Sequence, residues 1–399
     1  ELEDWLFDAT AGPERRMAEA RFVHDHLLKP GDVARTSWRL RCAQPPYDAL
    51  PIPRADIPAG IVLSREADAW IREDEVEDVA LPLYEGRMIG QFDFSQKGWV
   101  RGKGRSAIWR EISWERKLIE PQFLMGKSTY MQRDTIRGRE FKTAIMDVTS
   151  STNSRTVIAT VLDGVPCGHK TPTLTLERGV DDALALTAVL NCLAFDYQIR
   201  LKLGGNSLIW AVLAETAVPD LELAKRSLAP MTAGLALPAV KYAPAWTALH
   251  ESACWRGCWL LGGGSRLRWR AALDAVCLAL FGADAVTVGH VVGGCDRSGV
   301  EASMSDAKGF WRVDKDKDPE LRHTVLTLVA FHDLEEKIRA CGGDRDAGIE
   351  AFLGQNEGEG WMLPETLRLA DYGLGHDERA KQPQPVASRL GPRFYDWQL

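Results

Sequence analysis

The sequence lacks the marks of a membrane protein and of a secreted protein. No apolar run approaches the roughly 20 residues that a bilayer-spanning helix needs. The first ten residues, ELEDWLFDAT, are acidic, whereas a signal peptide opens with basic residues. Eight cysteines spread over 399 residues exclude a small disulfide-framework protein and predict reduced thiols. We therefore expect a cytoplasmic protein without a membrane partner. Because the chain begins with Glu rather than Met, we also expect a piece of a longer protein.

A metal site is not indicated either. His250, Cys254 and Cys258 recur every four residues and would share one face of a helix, with His290 or Cys295 available as a fourth ligand. Structural zinc normally uses tight C-x2-C knuckles on loops, and the sequence has none. Cysteines on a helix are usually small core residues. We therefore predict that this chain holds no metal.

Catalytic constellations are equally scarce. No Ser-His-Asp or Cys-His arrangement can be assembled from the spacing of these residues. Glu140-Phe-Lys142, with Asp134 upstream, has the E-x-K spacing of an Mg²⁺-dependent nuclease motif. That spacing arises often by chance, and Asp134 lies closer to it than such motifs usually place an acid. We assign no catalytic residue and keep this nuclease as an alternative.

What the sequence does have is a local excess of positive charge. The net charge is −7, yet residues 99–142 contain eleven Lys and Arg and only five Asp and Glu. Six aromatic residues lie among these cations: Trp99, Trp109, Trp114, Phe123, Tyr130 and Phe141. A basic face on an acidic protein suits contact with phosphates. The structural alternative is a solvated surface with tryptophans buried beneath it.

The secondary-structure pattern is mixed. Hydrophobic residues recur at helical spacing from Leu184 to Tyr197, and Gly204-Gly205 would end this helix. The glycines of Gly98–Arg105 predict a flexible loop. Further helices are expected over residues 63–71, 156–162, 267–281, 323–341 and 345–353.

Three ordered segments carry a family resemblance. They are LPLYEGRMIGQFDF at Leu81–Phe94, LNCLAFDYQIRLKLGG at Leu190–Gly205 and RLRWRAALDAVCLALFG at Arg266–Gly282. These segments resemble "PLYEGKMIxQFDHR", "LNxLxFDYxxRxKxGG" and "RxxLRAxLDAxxxxLYG" in the C-terminal half of large restriction-modification adenine methylases. That family includes the Type IIG, BREX and DISARM enzymes. Phe94-Ser95 replaces the usual His-Arg, and Phe281 replaces a Tyr.

Two shorter matches lie between these segments. Thr152–Thr156 resembles the family's "TNeRT", and Cys167–Lys170 resembles its "xGNK", with His169 in place of Asn. An adenine methylase also needs a Gly-rich turn for S-adenosylmethionine and a [DN]-P-P-[FYW] loop for the flipped base. This chain has neither, and Gly262–Gly264 follows a segment that is not strand-like. The resemblance therefore implies the specificity half of such an enzyme. S-adenosylmethionine belongs to the full-length methylase, and this chain has no cofactor of its own.

These observations predict an α+β protein. A connector region is expected at residues 1–80, a mixed DNA specificity (target-recognition) domain at 81–245, and a mostly helical domain with an extended tail at 246–399. The expected partners are duplex DNA and a catalytic methylase domain, in the same chain or a separate one. The function would be target recognition in a bacterial restriction-modification or phage-defence system. The alternative is a protein-interaction module that docks a methylase, helicase or nuclease.

The candidate DNA contacts follow from the charge excess and the resemblance. Phosphate contacts are expected from Arg101, Lys103, Arg105, Lys127, Arg137, Arg139 and Lys170, and base contacts from Arg133, Asn153 and Arg155. For Asn153 a second interpretation stays open, because a short polar side chain there also suits the N-cap of the helix predicted at 156–162.

Overall fold

The computed structural model describes residues 61–64, 69–72, 78, 80–114, 117–131, 141–174, 179–249, 259–297 and 308–391. The fold is α+β, with the helices concentrated in the C-terminal half, so the predicted fold class is confirmed. Most of the predicted connector region, 1–80, lies outside the described residues. Within the part of the chain that the structure describes, no helix is both long and apolar enough to cross a membrane.

The strands are short and the helices are longer. The described strands are β1 (Ile61–Ser64), β2 (Ala69–Arg72), β3 (Ala80–Leu83), β4 (Lys97–Arg101), β5 (Ile108–Glu111), β6 (Phe123–Gly126), β7 (Phe141–Ile145), β8 (Ala159–Asp163), β9 (Thr173–Leu174), β10 (Thr366–Leu367) and β11 (Gln384–Pro385). The described helices are α1 (Lys127–Tyr130), α2 (Val180–Asn191), α3 (Leu193–Lys202), α4 (Trp210–Ala214), α5 (Leu221–Ala236), α6 (Ala243–Leu249), α7 (Gly263–Leu280), α8 (Ala285–Val291), α9 (His323–Ala340) and α10 (Arg345–Gly354).

The strands form small antiparallel sheets. β7 lies between β8 and β9, and the pairs β1–β2, β3–β6, β4–β5 and β10–β11 are two-stranded. A two-stranded sheet is marginal by itself in water, so each of these depends on packing against the rest of the protein. In β3–β6 that packing is direct, because Leu81, Leu83 and Met125 are buried together.

The helices share a hydrophobic core. α2 packs on α5 and on β7, and α7 packs on both α5 and α9. The core thus joins elements on both sides of position 245, where we predicted a domain boundary. The helices predicted over residues 267–281, 323–341 and 345–353 are confirmed by α7, α9 and α10.

Two of the predicted helices are wrong. The segment expected as a helix over residues 63–71 contributes to the hairpin β1–β2. The segment expected as a helix over 156–162 leads into β8, which pairs with β7 from Ala159 to Asp163. Within β8, Thr160 and Val161 are β-branched, which favours a strand when a partner is present.

The long helix predicted to end at Gly204-Gly205 is broken at Cys192. That residue has an extended backbone (φ −74°, ψ 157°) and its Sγ accepts from Phe195 N at 3.4 Å, which caps α3. Two sets of tertiary contacts stabilise the break. Asn191 exchanges hydrogen bonds of 2.9 and 2.8 Å with the backbone of Ala159, and Leu193 N donates to Asp274 Oδ1 at 2.7 Å. These contacts override the local helical pattern.

One face of α7 carries three charged residues at four-residue spacing: Arg266 and Asp274 are buried, and Arg270 is half-buried. Arg266 donates to the carbonyl oxygens of Leu235, Leu260 and Phe92 at 2.8–3.1 Å. Arg270 donates to Gln91 Oε1 at 2.5 Å. Through these bonds the helix holds the segment that contains Gln91 and Phe92.

Asp274 is the centre of a buried ionic cluster. Its Oδ2 lies 3.2 Å from Arg155 Nη2 and 2.9 Å from His323 Nε2. Arg155 Nη2 also donates to His323 Nδ1 at 3.0 Å. A nitrogen that accepts from a guanidinium must be unprotonated, so His323 is neutral here, with its proton on Nε2. Burial lowers the pKa of His323 to about 4, and the charges of Arg270 and Arg155 act in the same direction.

The His323 pKa predicts acid destabilisation well above the carboxylate range. The pKa of a histidine in the unfolded chain is about 6.5. Between that pH and about 4, the unfolded state therefore binds a proton that folded His323 does not bind. The stabilisation is therefore fully present above pH 6.5 and is lost as the pH falls toward 4. The expected slope is about 1.4 kcal/mol per pH unit from this group. Urea unfolding at a series of pH values measures this slope.

The control variant is His323→Gln, which retains an N–H donor but does not titrate. Its free energy of unfolding should depend less steeply on pH between about 4 and 6.5. An unchanged slope would contradict the assignment to His323.

Candidate nucleic-acid interface

The strands β4 and β5 form a hairpin that carries much of the local positive charge. We call residues 97–111 the cationic hairpin. It contains five Lys and Arg and one acid, Glu111. Trp99 and Trp109 are cross-strand partners near its middle, with an irregularity in register between Trp99 and Arg101.

The tip of the cationic hairpin is an ordered turn and not the flexible loop that its glycines predicted. Gly102 has φ +89°, and a Cβ at this position would lie 2.5 Å from Ser106 O, so glycine is required. The Gly102 carbonyl accepts from Trp99 Nε1 at 3.1 Å and from Gln122 Nε2 at 3.2 Å. Ser106 Oγ donates to Lys103 O at 2.8 Å. The turn is therefore closed by hydrogen bonds that do not use its cationic side chains.

Three cationic side chains extend from the tip into solvent. Arg101, Lys103 and Arg105 are all exposed. Within the described residues, none of the three forms an ion pair, whereas Arg110 on the same hairpin pairs with Glu120. The tip thus presents positive charge that the described part of the protein does not neutralise, as binding to an external anion requires.

A cleft of about 820 Å³ adjoins the cationic hairpin. Its walls include apolar side chains from β3, β6 and the segment after β7, which are Leu83, Phe123, Met146 and Val148. Its polar lining is mostly basic or amide: Arg87, Gln96, Lys97, Lys103, Gln122, His169 and Lys170, with Glu85 as the one acid among the lining residues. The volume lies within the range of small-ligand pockets, about 300–1,000 Å³.

Two segments from the family resemblance form one wall of the cleft. Tyr84 forms a parallel bridge with Cys167; its N donates to Pro166 O at 2.9 Å, and its O accepts from Gly168 N at 2.8 Å. A Cβ at Gly86 would lie 2.7 Å from Lys170 O, so only glycine permits this approach. Lys170 Nζ is held by Asp147 Oδ2 at 2.6 Å, while nearly half of the Lys170 side chain remains exposed.

Two polar atoms of cleft-lining residues have no hydrogen-bond partner among the described residues. They are Glu85 Oε2 and Trp109 Nε1, and both are inaccessible to solvent. Burial raises the pKa of the Glu85 carboxyl above its ordinary value, and the charge of Arg87 opposes that shift. Buried polar atoms are nearly always paired, so these two atoms are exceptions among the described residues.

The structure distributes the predicted DNA contacts unevenly. Arg101, Lys103 and Arg105 share the tip of the cationic hairpin, and Lys103 and Lys170 both line the cleft. Lys127 is exposed at the start of α1, and Asn153 lies in an exposed turn. Neither of these two residues lines the cleft. Arg133, Arg137 and Arg139 lie outside the described residues.

The structure corrects the prediction for Arg155. It was predicted to read a base edge, but its side chain is 7% exposed and its guanidinium is bonded to Asp274 and His323. In this position it cannot reach DNA. The N-cap alternative for Asn153 also fails as stated, since the segment that follows forms β8 and not a helix.

The other sequence motifs do not form a site in the described part of the chain. Lys142 of the E-x-K motif is buried and donates to Tyr130 Oη at 3.1 Å, while Asp134 and Glu140 lie outside the described residues. Phe94 and Ser95, which replace His-Arg, are both buried. His250, Cys254 and Cys258 also lie outside the described residues. Among the residues that are described, no group of three His, Cys, Asp or Glu could hold a metal ion.

Sequence reasoning missed several lining residues of the cleft. Arg87 stands at the Lys of the family's "EGK", so the motif contained a signal that we did not use. Lys97 lies two positions before the basic window that we drew from Trp99. Glu85, Gln96 and Gln122 gave no signal from charge, because an isolated acid or amide is common on any surface.

No protein-family model, curated protein or solved structure matches this chain.

The close packing of the cleft wall at Gly86 can be tested by substitution. Gly86→Ala places a methyl group 2.7 Å from the backbone oxygen of Lys170, so one segment must shift. We expect a loss of about 1–3 kcal/mol in the free energy of unfolding, measured by chemical denaturation. Gly204→Ala is the matched control, because nothing lies within 4 Å of a Cβ there. Equal effects of the two substitutions would contradict the close packing of the wall.

Proposed function

We propose that this chain binds duplex DNA as the target-recognition part of an adenine N6-methyltransferase, in a restriction-modification or phage-defence system of the cytoplasm. The observation that carries the proposal is the cationic hairpin, with Arg101, Lys103 and Arg105 exposed at its tip and without an ion-pair partner among the described residues. The cleft beside it adds Arg87 and Lys170 as further cations.

The shape of the hairpin suits a DNA groove. The major groove of B-form DNA is about 12 Å wide and admits a two-stranded β-ribbon. Cations on such a ribbon neutralise phosphates and release counterions, which supplies most of the sequence-independent affinity. Val100 and Ile108 are each 45% exposed on this hairpin, and apolar side chains of this kind can contact the methyl group of thymine.

The assignment to a methyltransferase rests on the sequence resemblance alone. Its three segments are associated in the fold: Arg266 of the third segment bonds to Phe92 of the first, and Gln91 Nε2 donates to Asn191 O of the second at 3.2 Å. Methyl transfer and binding of S-adenosylmethionine would belong to a catalytic domain, in the same chain or in a separate one. This chain would position the catalytic domain on the DNA and select the target sequence.

The charge at the hairpin tip predicts a salt-dependent DNA affinity. Fluorescence anisotropy with a labelled duplex over a salt series measures the slope of log affinity against log salt. Arg101/Lys103/Arg105→Ala should weaken binding to all duplex sequences and flatten the slope by about 2–3, because each lost phosphate contact contributes about 0.9.

The control must remove the same charge from another place. Lys308, Lys315 and Lys381 are exposed and lie outside both the hairpin and the cleft. Lys308/Lys315/Lys381→Ala should leave the slope within experimental error of the wild type. If both triple variants flatten the slope equally, only total charge matters and the hairpin assignment fails. No binding by the wild type at low salt would contradict DNA recognition and favour the protein-interaction module.

A further inference from the structure

The solvent-accessible lining of the cleft has an excess of positive charge. Three cations line it without forming an ion pair to any described residue: Arg87, Lys97 and Lys103. Lys170 also lines the cleft, but its charge is matched by Asp147 at 2.6 Å. Glu85 is the one acid among the lining residues, so the excess remains even when Glu85 is ionised. Such a lining attracts a ligand with more than one negative charge.

The shape of the cleft favours a small molecule over the DNA backbone. Its volume of about 820 Å³ lies within the range of small-ligand pockets. The phosphates of a duplex need an exposed cationic face, which the tip of the cationic hairpin already supplies. An apolar wall adds nothing to that contact, yet Leu83, Phe123 and Met146 form one in the cleft. Apolar walls of this kind enclose the body of a small ligand.

One accessible amide indicates which body the ligand has. Gln96 is half-buried and lines the cleft, and its side-chain amide forms no hydrogen bond with any described residue. An amide offers a donor beside an acceptor, which is the pair that glutamine uses to bind N6 and N7 of adenine. Phe123 and Met146 line the same cleft and suit contact with an aromatic ring. Adenine joined to several phosphates matches both the charge and the apolar wall.

We propose that the cleft binds a free adenine nucleotide with two or three phosphates, with Gln96 at the base and Arg87, Lys97 and Lys103 at the phosphates. Lys103 also belongs to the tip of the cationic hairpin. A bound nucleotide therefore neutralises a charge that DNA would otherwise contact, and it weakens DNA binding. Only this competition rests on the proposed DNA-binding function, and the nucleotide site itself does not.

The first test measures nucleotide binding without DNA. Isothermal titration calorimetry of the chain compares ATP with adenosine, which lacks the phosphates, and with inorganic triphosphate, which lacks the base. We expect ATP to bind about tenfold more tightly than either, because only ATP engages both the cations and the apolar wall. Equal affinity for ATP and triphosphate would reduce the cleft to an anion site and overturn the proposal. Failure to bind ATP would also overturn it.

The second test places the nucleotide in the cleft. Arg87→Gln and Lys97→Gln should each lower the affinity for ATP about tenfold, because a charge-assisted contact with a phosphate is lost. Gln96→Leu should bring the affinity for ATP to within about twofold of that for triphosphate, and it should leave triphosphate binding unchanged. Circular dichroism of each variant confirms that the fold is retained.

The matched control is Lys315→Gln, since Lys315 is exposed and does not line the cleft. This variant should bind ATP as the wild type does. If the control lowers the affinity for ATP as much as the cleft variants do, or if the cleft variants leave it unchanged, the nucleotide does not bind in the cleft and the proposal is overturned.

A final arm tests the competition with DNA. Fluorescence anisotropy with a labelled duplex compares saturating ATP with sodium chloride of the same ionic strength. We expect ATP to weaken DNA binding by the wild type about fivefold and to have no such effect on Lys97→Gln at the same ATP concentration. An unchanged DNA affinity of the wild type would overturn the competition. No DNA binding at low salt would contradict the proposed function, while the nucleotide site would stand on the calorimetry alone.

Discussion

The structure depends on one buried carboxylate. Asp274 is only 2% exposed, and an unpaired charge so deeply buried would be prohibitively unfavourable. Its two oxygens contact Leu193 N, Arg155 and His323. These three partners come from the break between α2 and α3, from the segment before β8 and from the start of α9. Because a buried charge tolerates little displacement, the carboxylate fixes the relative positions of all these elements.

The cleft is tied to this interior through the same helix. Arg266 and Arg270 stand about two turns and one turn before Asp274 on α7 and bond to Phe92 and Gln91, respectively. That segment continues from Tyr84 and Glu85, which form the wall of the cleft. The wall of the cleft is thus anchored to charged residues of α7 that pack in the core.

The sequence predicted those features that depend on local spacing. The helical spacing of hydrophobic residues in α7 and α9 could be recognised without a structure. The same is true of the charge excess around the cationic hairpin. It could not reveal that Arg155 is buried, because its partners Asp274 and His323 lie 119 and 168 positions away. Nor could it reveal the cleft, whose wall exists only because Tyr84 pairs with Cys167 across 83 positions of chain. The break at Cys192 was hidden for the same reason, since long-range contacts maintain it.

The turn at the tip of the cationic hairpin has a consequence for how such a protein can change. Its hydrogen bonds are made by backbone groups and by Trp99, Gln122 and Ser106, while the cationic side chains take no part in them. Side chains at the tip can therefore be exchanged without altering the scaffold that presents them. Variation there changes the charge that the tip presents and not the hydrogen bonds that close the turn. A library randomised at Arg101, Lys103 and Arg105 would sample different surface charges on one fixed framework.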